Sequence, residues 1–438
     1  MKFDTVIYNG LIVTVNPEFD IIERGMVCIG GQTILEVRPM TDNAPLPDAH
    51  RLIDACGGIV MPGLINTHTH LPMSLFRGLA DDLPLMEWLN DYMFPAEAKH
   101  INHESVRYGS LLSCGEMMLS GTTTCCDGYF IEDEVAKAVH KAGIRAVLGH
   151  GVIDFPAPGV PDPEENVRTA ADYVKKWKNK YPLIYPSIFC HSPYTCSAKT
   201  LVKAKETAVS EDILFQIHAA ETRTERLQTR EEHNKTPVGY LDDLGILDEK
   251  TLLVHAVWVD PKDIELISGH GSAISIATES EMKLSSGIAP VQGFIDAGIR
   301  VGLGTDGCAS NNNLDMFQEM DMTSKIQKVN CLDPTVLDAA SVLKLATIEG
   351  ARSIGLDDRI GSIEPGKDAD LIIIDTNAAH MTPLYTPVSH LVYSGAGAVV
   401  RDVMVAGRMI VENRKITTFD IDEVMDRTAS IAEGIFHG

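Results

Sequence analysis

Apolar residues along this chain come in two rhythms. Through the middle of the chain, runs such as "IRAVLGHGV" (144–152), "ILFQIHAAE" (213–221) and "TLLVHAVWV" (251–259) are almost continuously apolar and rich in β-branched residues. That pattern marks strands buried on both faces. Between them lie segments with apolar residues three and four apart, for example "EDEVAKAVHKAG" (132–143), "PEENVRTAADYVKKWKNK" (163–180) and "DPKDIELISGHG" (260–271). That spacing puts the apolar positions on one helical face. The strand-like runs number eight: "GLINTHTH", "GTTTCCDG", "IRAVLGHGV", "IYPSIFCHS", "ILFQIHAAE", "TLLVHAVWV", "SAISIATES" and "IRVGLGTDG". Eight β–α units over roughly 300 residues predict a TIM (β/α)8 barrel. A doubly wound sheet has fewer strands and a glycine-rich first turn.

The two ends of the chain read differently. "DTVIYNGLIVTVN", "GMVCIGGQTILEVRP" and "RLIDACGGIVMPG" at the N-terminus, and "DADLIIIDT" and "VVRDVMVAGRMIVEN" at the C-terminus, are short strands broken by turn residues. They predict a small β-sandwich domain built from both chain ends, residues 1–60 and 365–438, the second part carrying a closing helix, beside a metal-dependent barrel over 61–364. "GSIEPGK" (361–367) has the spacing of a phosphate-binding loop, but Asp368 stands where such a loop needs Ser or Thr, and Glu364 and Pro365 occupy it. It reads as a turn entering a strand.

Composition narrows the partners. The 438 residues carry a net charge of −24 with 22% charged and 45% hydrophobic residues. This is ordinary for a globular protein, and so acidic a chain is not expected to hold a nucleic-acid backbone. The nine cysteines have no framework spacing, as in a reducing compartment. No apolar run is long enough to span a membrane. The expectations are a cytoplasmic protein with a small-molecule substrate, no nucleic acid, no membrane, and assembly as a homo-oligomer, a dimer or tetramer.

The chemistry sits where the apolar runs stop. "INTHTHLPM" (65–73) places His68 and His70 at i and i+2, on one side of a strand. With 15 histidines in the chain, such a pair arises by chance about half the time. The other strand ends decide the matter. They carry His191 on the fourth strand, His218 and Glu221 at the fifth, His255 at the sixth and Asp306 at the eighth. In a TIM barrel the active site lies at these C-terminal ends. Three histidines and an aspartate suit a borderline ion such as zinc with an open position, where bound water ionises near neutral pH. Glu221 lies close enough to carry protons. The fourth strand holds no lysine to bridge two ions, so one divalent metal per chain is expected, zinc ahead of iron or manganese.

"MPGLINTHTH", "HAAET", "VHAVWV", "GTDGCASNNNLDMF" and "GSIEPGKDADLIIID" resemble the patterns of the amidohydrolase superfamily. Within it they are similar to the deaminases acting on methylthioadenosine and S-adenosylhomocysteine, relatives of the triazine chlorohydrolases. The resemblance runs from about residue 4 to 430. It implies His68, His70, His218 and Asp306 as metal ligands, and Glu221, His255 and Asp306 as catalytic groups. His191 and Glu221 would bind the substrate, and Trp88 and Glu97 in "MEWLNDYMFPAE" would pack on the base and hold the ribose hydroxyls. It further implies hydrolytic deamination of an adenine nucleoside such as methylthioadenosine, S-adenosylhomocysteine, adenosine or 5′-deoxyadenosine. Deamination or dechlorination of another aminated heterocycle (guanine, a pterin, a triazine) is the alternative, and a non-catalytic scaffold the third reading.

Departures from the family pattern fall around the pocket. After the seventh strand, "ISIATESEMKLSSG" puts Ile276 and Glu281 where relatives carry His and Asn. His150 and Asp162 stand near positions where relatives carry arginines facing an amino-acid tail. The expectation is that these two face the substrate tail, and that Glu279 and Glu281 lie in a solvated turn.

Overall fold

The computed structural model describes residues 2–41, 45–395 and 397–437. Its centre is an eight-stranded parallel sheet whose spatial order follows the chain. We label these strands β1 (Leu64–Thr69), β2 (Thr122–Tyr129), β3 (Arg145–Val152), β4 (Ile184–Cys190), β5 (Phe215–Ala219), β6 (Thr251–His255), β7 (Ala273–Ile276) and β8 (Arg300–Leu303). Each of the eight apolar runs is one of these strands. All seven neighbouring pairs are parallel, as strands joined by helical crossovers must be.

The sheet closes where β8 meets β1. Asp306 N–H donates to the His68 carbonyl at 3.0 Å. The Asn66 side chain stitches the same seam, donating to Thr305 Oγ1 at 2.7 Å and accepting from Thr305 N–H at 3.1 Å. Approach here is so close that a Cβ on Gly304 would lie 2.7 Å from His68 N. The seam residues are thus the residues that place His68 and Asp306 together.

Helices wrap the barrel in the expected places. Glu132–Ala142 ends on Gly143 at φ 79°, and Pro261–His270 starts on an Asp260 capping box and ends on Gly271 at φ 69°. A capping box opens a helix and a left-handed glycine closes it, each satisfying backbone groups left without an intrahelical partner.

The chain ends meet in one nine-stranded mixed sheet. Its junction is the antiparallel pair Ile59–Pro62 and Leu371–Ile374, with Ile59 opposite Ile374 and Pro62 opposite Leu371. Phe3–Val13 carries register shifts near Gly10 and pairs along its length with two successive strands, Ala49–Asp54 and then Ile59–Pro62. Its alternate residues feed two faces: Ile7 packs with Val27, Ile29 and Ile373, while Val6 packs with Met26 and Cys28. "GSIEPGK" is a turn before Leu371–Ile374, with Ser362 bonded to Glu364. The last helix, Ile421–His437, lies on His103–Leu119, where Gly115 leaves room for Ile421.

Barrel floor and mixed sheet are tied by a buried ion cluster. Arg145, at the start of β3, donates through Nε to Asp370 Oδ2 at 2.9 Å and through Nη2 to Asp368 Oδ2 at 2.9 Å. Asp370 also accepts from Ala406 N–H at 2.7 Å, and Asp368 from Arg359 at 2.8 Å.

Candidate active site

The C-terminal ends of the barrel strands converge on one point. His68 Nε2 lies 3.2 Å from His218 Nε2 and 3.5 Å from Asp306 Oδ1, and His70 Nε2 lies 3.4 Å from the same Asp306 oxygen. His68 is fully buried, and its Nδ1 has no hydrogen-bond partner among the described residues. His70 is held from behind, its Nδ1–H donating to the Gly128 carbonyl at 2.6 Å, which leaves Nε2 for the cluster. Asp306 Oδ2 accepts from Ser280 Oγ at 2.7 Å and Ser310 Oγ at 2.8 Å, and Gly307 N–H donates to Oδ1 at 2.6 Å. Two of the site's residues hold the left-handed backbone region without being glycine: His255 at φ 75° and Asp306 at φ 61°. Such conformations cost energy and concentrate at functional sites.

Electrostatics prepares the donors. Burial drives His68 down to about 4, and burial together with neighbouring imidazoles drives His218 well below the ordinary histidine value. Burial likewise lowers His70. Burial pushes Asp306 up, but the hydrogen bond to His68 and the charge of His255 outweigh it and hold the carboxylate ionised. The donor set is therefore neutral imidazole nitrogens and one carboxylate oxygen, the forms that bind a metal. Histidine nitrogens with one carboxylate are a zinc donor set. The ligand atoms of His68, His70 and Asp306 lie within 4.8 Å of one another, as do those of His68, His218 and His255. These residues fit a divalent ion, and His68 is common to both groups.

His255 differs from the other histidines. Its Nε2 lies 3.9 Å from Glu221 Oε2 and its Nδ1 lies 3.4 Å from Glu281 Oε1. Burial lowers its pKa, but Glu221, Glu281 and Asp306 outweigh that and raise it to about 9. Glu221 is buried, and burial raises its carboxyl pKa against the pull of His255. Ser286 donates to Glu221 Oε1 at 3.3 Å. Behind it, the Glu225 carboxylate accepts the backbone N–H groups of Ala220 and Glu221 at 2.8 and 2.7 Å. This fixes the turn that delivers Glu221.

The cluster forms the floor of a cavity whose lining includes Trp88, Glu97, Tyr129, His191, Glu221 and Asp306. Trp88 begins a π-helical turn (Trp88–Met93) that runs into the helix Phe94–His100 carrying Glu97. Glu97 is only 5% exposed and accepts from the Tyr129 hydroxyl at 2.5 Å. Burial raises it to about 7, against the pull of that hydroxyl. His191 Nδ1 pairs with Thr195 Oγ1 at 2.9 Å, and burial and His70 lower its pKa to about 3, so it is neutral.

The structure thus brings together all the residues singled out at the strand ends, with Trp88 and Glu97 on the same cavity. It corrects two other expectations. His150 is outside the cavity: Gly149 and Gly151 take the inner register of β3, and His150 packs outward against Tyr173 with ring centroids 5.7 Å apart. Asp162 is exposed and caps the turn Pro163–Glu165, accepting from Glu164 N–H at 3.1 Å. Neither lines the cavity. Glu281 is not solvated: it is 2% exposed, accepting from Ala277 N–H at 3.1 Å and facing His255. Glu279 is half-buried and accepts from Asn313 at 3.1 Å. Ile276 joins the apolar core at the end of β7.

Comparison with known proteins places this architecture. The amidohydrolase family model matches residues 59–410, and the chain belongs to that family. It is 43% identical, over 99% of both chains, to the 5-methylthioadenosine/S-adenosylhomocysteine deaminase of Syntrophobacter fumaroxidans. It is 41% identical, over 98% of both chains, to the 5′-deoxyadenosine deaminase of Methanosarcina barkeri. A crystal structure of an adenosine deaminase from Xanthomonas campestris with bound zinc superimposes with a TM-score of 0.97 at 34% identity, covering 100% of this chain and 99% of that one.

Proposed function

We propose that this protein is a metal-dependent hydrolase that deaminates an adenine nucleoside, releasing ammonia and the inosine-type product. The observation that carries the reading is the buried Glu221–His255 pair, 3.9 Å apart, beside a donor set built for one divalent ion. Replacing an amino group by water needs a proton carrier at the ring and an activated water, and the pair and the donor set supply places for both.

His68, His70, His218 and Asp306 would hold the ion. When bound there, it supplies the Lewis acidity that activates water at neutral pH. Glu221, whose buried carboxyl retains a proton more readily than an ordinary glutamate, protonates the ring nitrogen and then carries a proton to the departing amine. His255 orients the attacking water through Nε2, with Nδ1 held by Glu281. Asp306 takes the proton that the water loses. His191, its Nδ1 engaged by Thr195, offers Nε2 to the substrate. Trp88 packs on the base and Glu97 accepts the ribose hydroxyls.

Lining side chains support a choice within the class. The acids of the cavity are Glu97, Glu221 and Asp306, and its apolar wall includes Leu85, Leu89, Met93, Phe94, Phe130 and Val152. A carboxylate on the substrate would be desolvated against acids and apolar groups, at high cost. This favours 5′-deoxyadenosine, methylthioadenosine and adenosine over S-adenosylhomocysteine. The nine cysteines are free thiols, seven of them buried, which supports a reducing cytoplasmic setting. No helix among the described residues is long and apolar enough to cross a membrane.

Ammonia release from the zinc-loaded protein, measured across these four nucleosides and across guanine, pterins and triazines, tests the reading. The expected outcome is turnover of the adenine nucleosides with the neutral 5′ groups leading. Release from another heterocycle and from none of the nucleosides overturns it.

A further inference from the structure

Beneath the site, two carboxyl groups are buried together with no metal donor set around them. Asp127 near the end of β2 and Glu132 at the start of the helix Glu132–Ala142 are both 0% exposed. They face each other within hydrogen-bond reach. Beyond that contact, Asp127 Oδ2 and both Glu132 oxygens have no hydrogen-bond partner among the described residues. Two bare carboxylates side by side without a cation repel strongly in a medium of low polarity. The stable arrangement is one shared proton, turning the repulsion into an O–H···O hydrogen bond.

The other oxygen of Asp127 has a defined task. Leu71 N–H donates to Asp127 Oδ1 at 2.7 Å. Leu71 follows His70 directly, and the residue after Asp127, Gly128, supplies the carbonyl that accepts from His70 Nδ1 at 2.6 Å. His70 is therefore gripped on both sides, at its ring by Gly128 and at the next peptide by Asp127. The turn from the end of β2, which carries Gly128, into the helix Glu132–Ala142 is closed by the Asp127–Glu132 contact across five residues. Tyr129, the last residue of β2, and Phe130 just after it line the cavity.

We infer that Asp127 and Glu132 form a proton-sharing carboxyl pair that positions His70: it clamps the peptide after β1 and the loop after β2, and so aims His70 Nε2 at the metal point. Neither residue touches the substrate, so both are positioning residues. Burial and the neighbouring Asp127 charge push Glu132 well above the ordinary carboxyl range, in keeping with a retained proton. Residues behind a metal ligand set its orientation and thereby the affinity of the site.

Zinc affinity, measured by competition with a chromophoric chelator on the purified full chain, separates this role from simple packing. Asp127→Ala removes the acceptor of Leu71 N–H and should weaken zinc binding by about 10- to 100-fold. Asp127→Asn keeps an acceptor for Leu71 and gives Glu132 an N–H, and Glu132→Gln gives Asp127 an N–H. Both amides should therefore stay within about threefold of the parent. Circular dichroism and thermal unfolding of the metal-free variants confirm that each is folded. Infrared spectroscopy of the parent should show a protonated buried carboxyl at neutral pH that Glu132→Gln removes. That readout survives even if Asp127→Ala does not fold. Unchanged zinc affinity in a folded Asp127→Ala overturns the clamp. Asp127→Asn as weak as Asp127→Ala overturns the hydrogen-bond account, and a parent spectrum without that carboxyl band overturns the shared proton.

Discussion

The two ends of the barrel both bury ionisable groups, and they do so in opposite ways. At the floor, Arg145 is 0% exposed, and its guanidinium is met by Asp368, Asp370 and Tyr185. Burial works against its charge, but Asp370, Tyr185 and Asp368 outweigh it and hold its pKa above the ordinary arginine value. At the mouth, His68, His70, His218 and Asp306 point their donor atoms at one another. Three neutral rings and a carboxylate cannot satisfy each other there, because ring nitrogens 3.2 Å apart have at most one proton to share. The floor is a closed set whose partners are all within the protein. The mouth is an open set that an ion completes. Burial of charge is thus common to cement and to machinery, and what separates them is whether the partners are all present.

Removing one ligand at the mouth should have the largest effect. Asp306→Ala or His68→Ala leaves an incomplete donor set. Metal content by elemental analysis should fall from about one ion per chain toward zero, with ammonia release at background. Thorough chelation of the parent should silence it equally, and added zinc should restore it. Two ions per chain, or activity that survives chelation, would contradict the single open set.

Glu221→Gln tests the mouth without opening the donor set. The amide is similar in shape but carries no acidic proton. Turnover should fall by about 10²- to 10⁴-fold with the metal content unchanged. Near-parental deamination would remove Glu221 from its assigned role.

The floor should respond in stability and leave turnover alone. Arg145→Met strands Asp370 without its guanidinium and leaves Asp368 only that of Arg359, and breaking a buried pair in this way costs about 3–5 kcal/mol. Denaturant unfolding should show the loss, while kcat/KM of the folded variant stays at the parental value. A variant that is stable but inactive would mean that the two ends are coupled.

The same contrast explains what could be read from sequence. All eight barrel strands were legible, because a strand buried on both faces is an unbroken apolar run and its polar end stands out. His68, His70, His191, His218, Glu221, His255 and Asp306 stood at such ends. His150 misled because it also lies in an apolar run. Only the period of two, with Gly149 and Gly151 on the inner register, tells that it faces the helices. Glu281 looked like a solvated turn residue, since an acid in a polar stretch carries no mark of burial. Its partner, His255, is 26 positions away in the chain. The Arg145 cluster was silent for the same reason. Arg145 and Asp370 are separated by 225 residues, and nothing local announces their meeting.

Glu97 lies between the two cases, and the smallest predicted effect concerns it. It is buried like a floor residue, yet among the described residues no side chain beyond the Tyr129 hydroxyl closes its set. Burial raises its carboxyl to about 7, from about 4.3 in an unfolded chain. A raised carboxyl pKa favours folding while the group is neutral. Its contribution is therefore fully present below about pH 4.3 and is lost as pH rises through about 7. Glu97→Gln has no charge to bury, so relative to the parent its stability should improve across that window and be constant above it. Binding should run the other way. An ionised Glu97 can accept from the ribose hydroxyls and from Tyr129 at once, so the parent's KM for an adenine nucleoside should rise by up to about tenfold per unit as pH falls below about 7. In Glu97→Gln the KM should be higher and should lose that limb, while kcat keeps the parental pH profile set by Glu221 and His255. Thermal unfolding and initial rates of parent and variant from pH 5 to 8 measure both trends. A parental KM that is flat with pH would place Glu97 among the closed, structural groups.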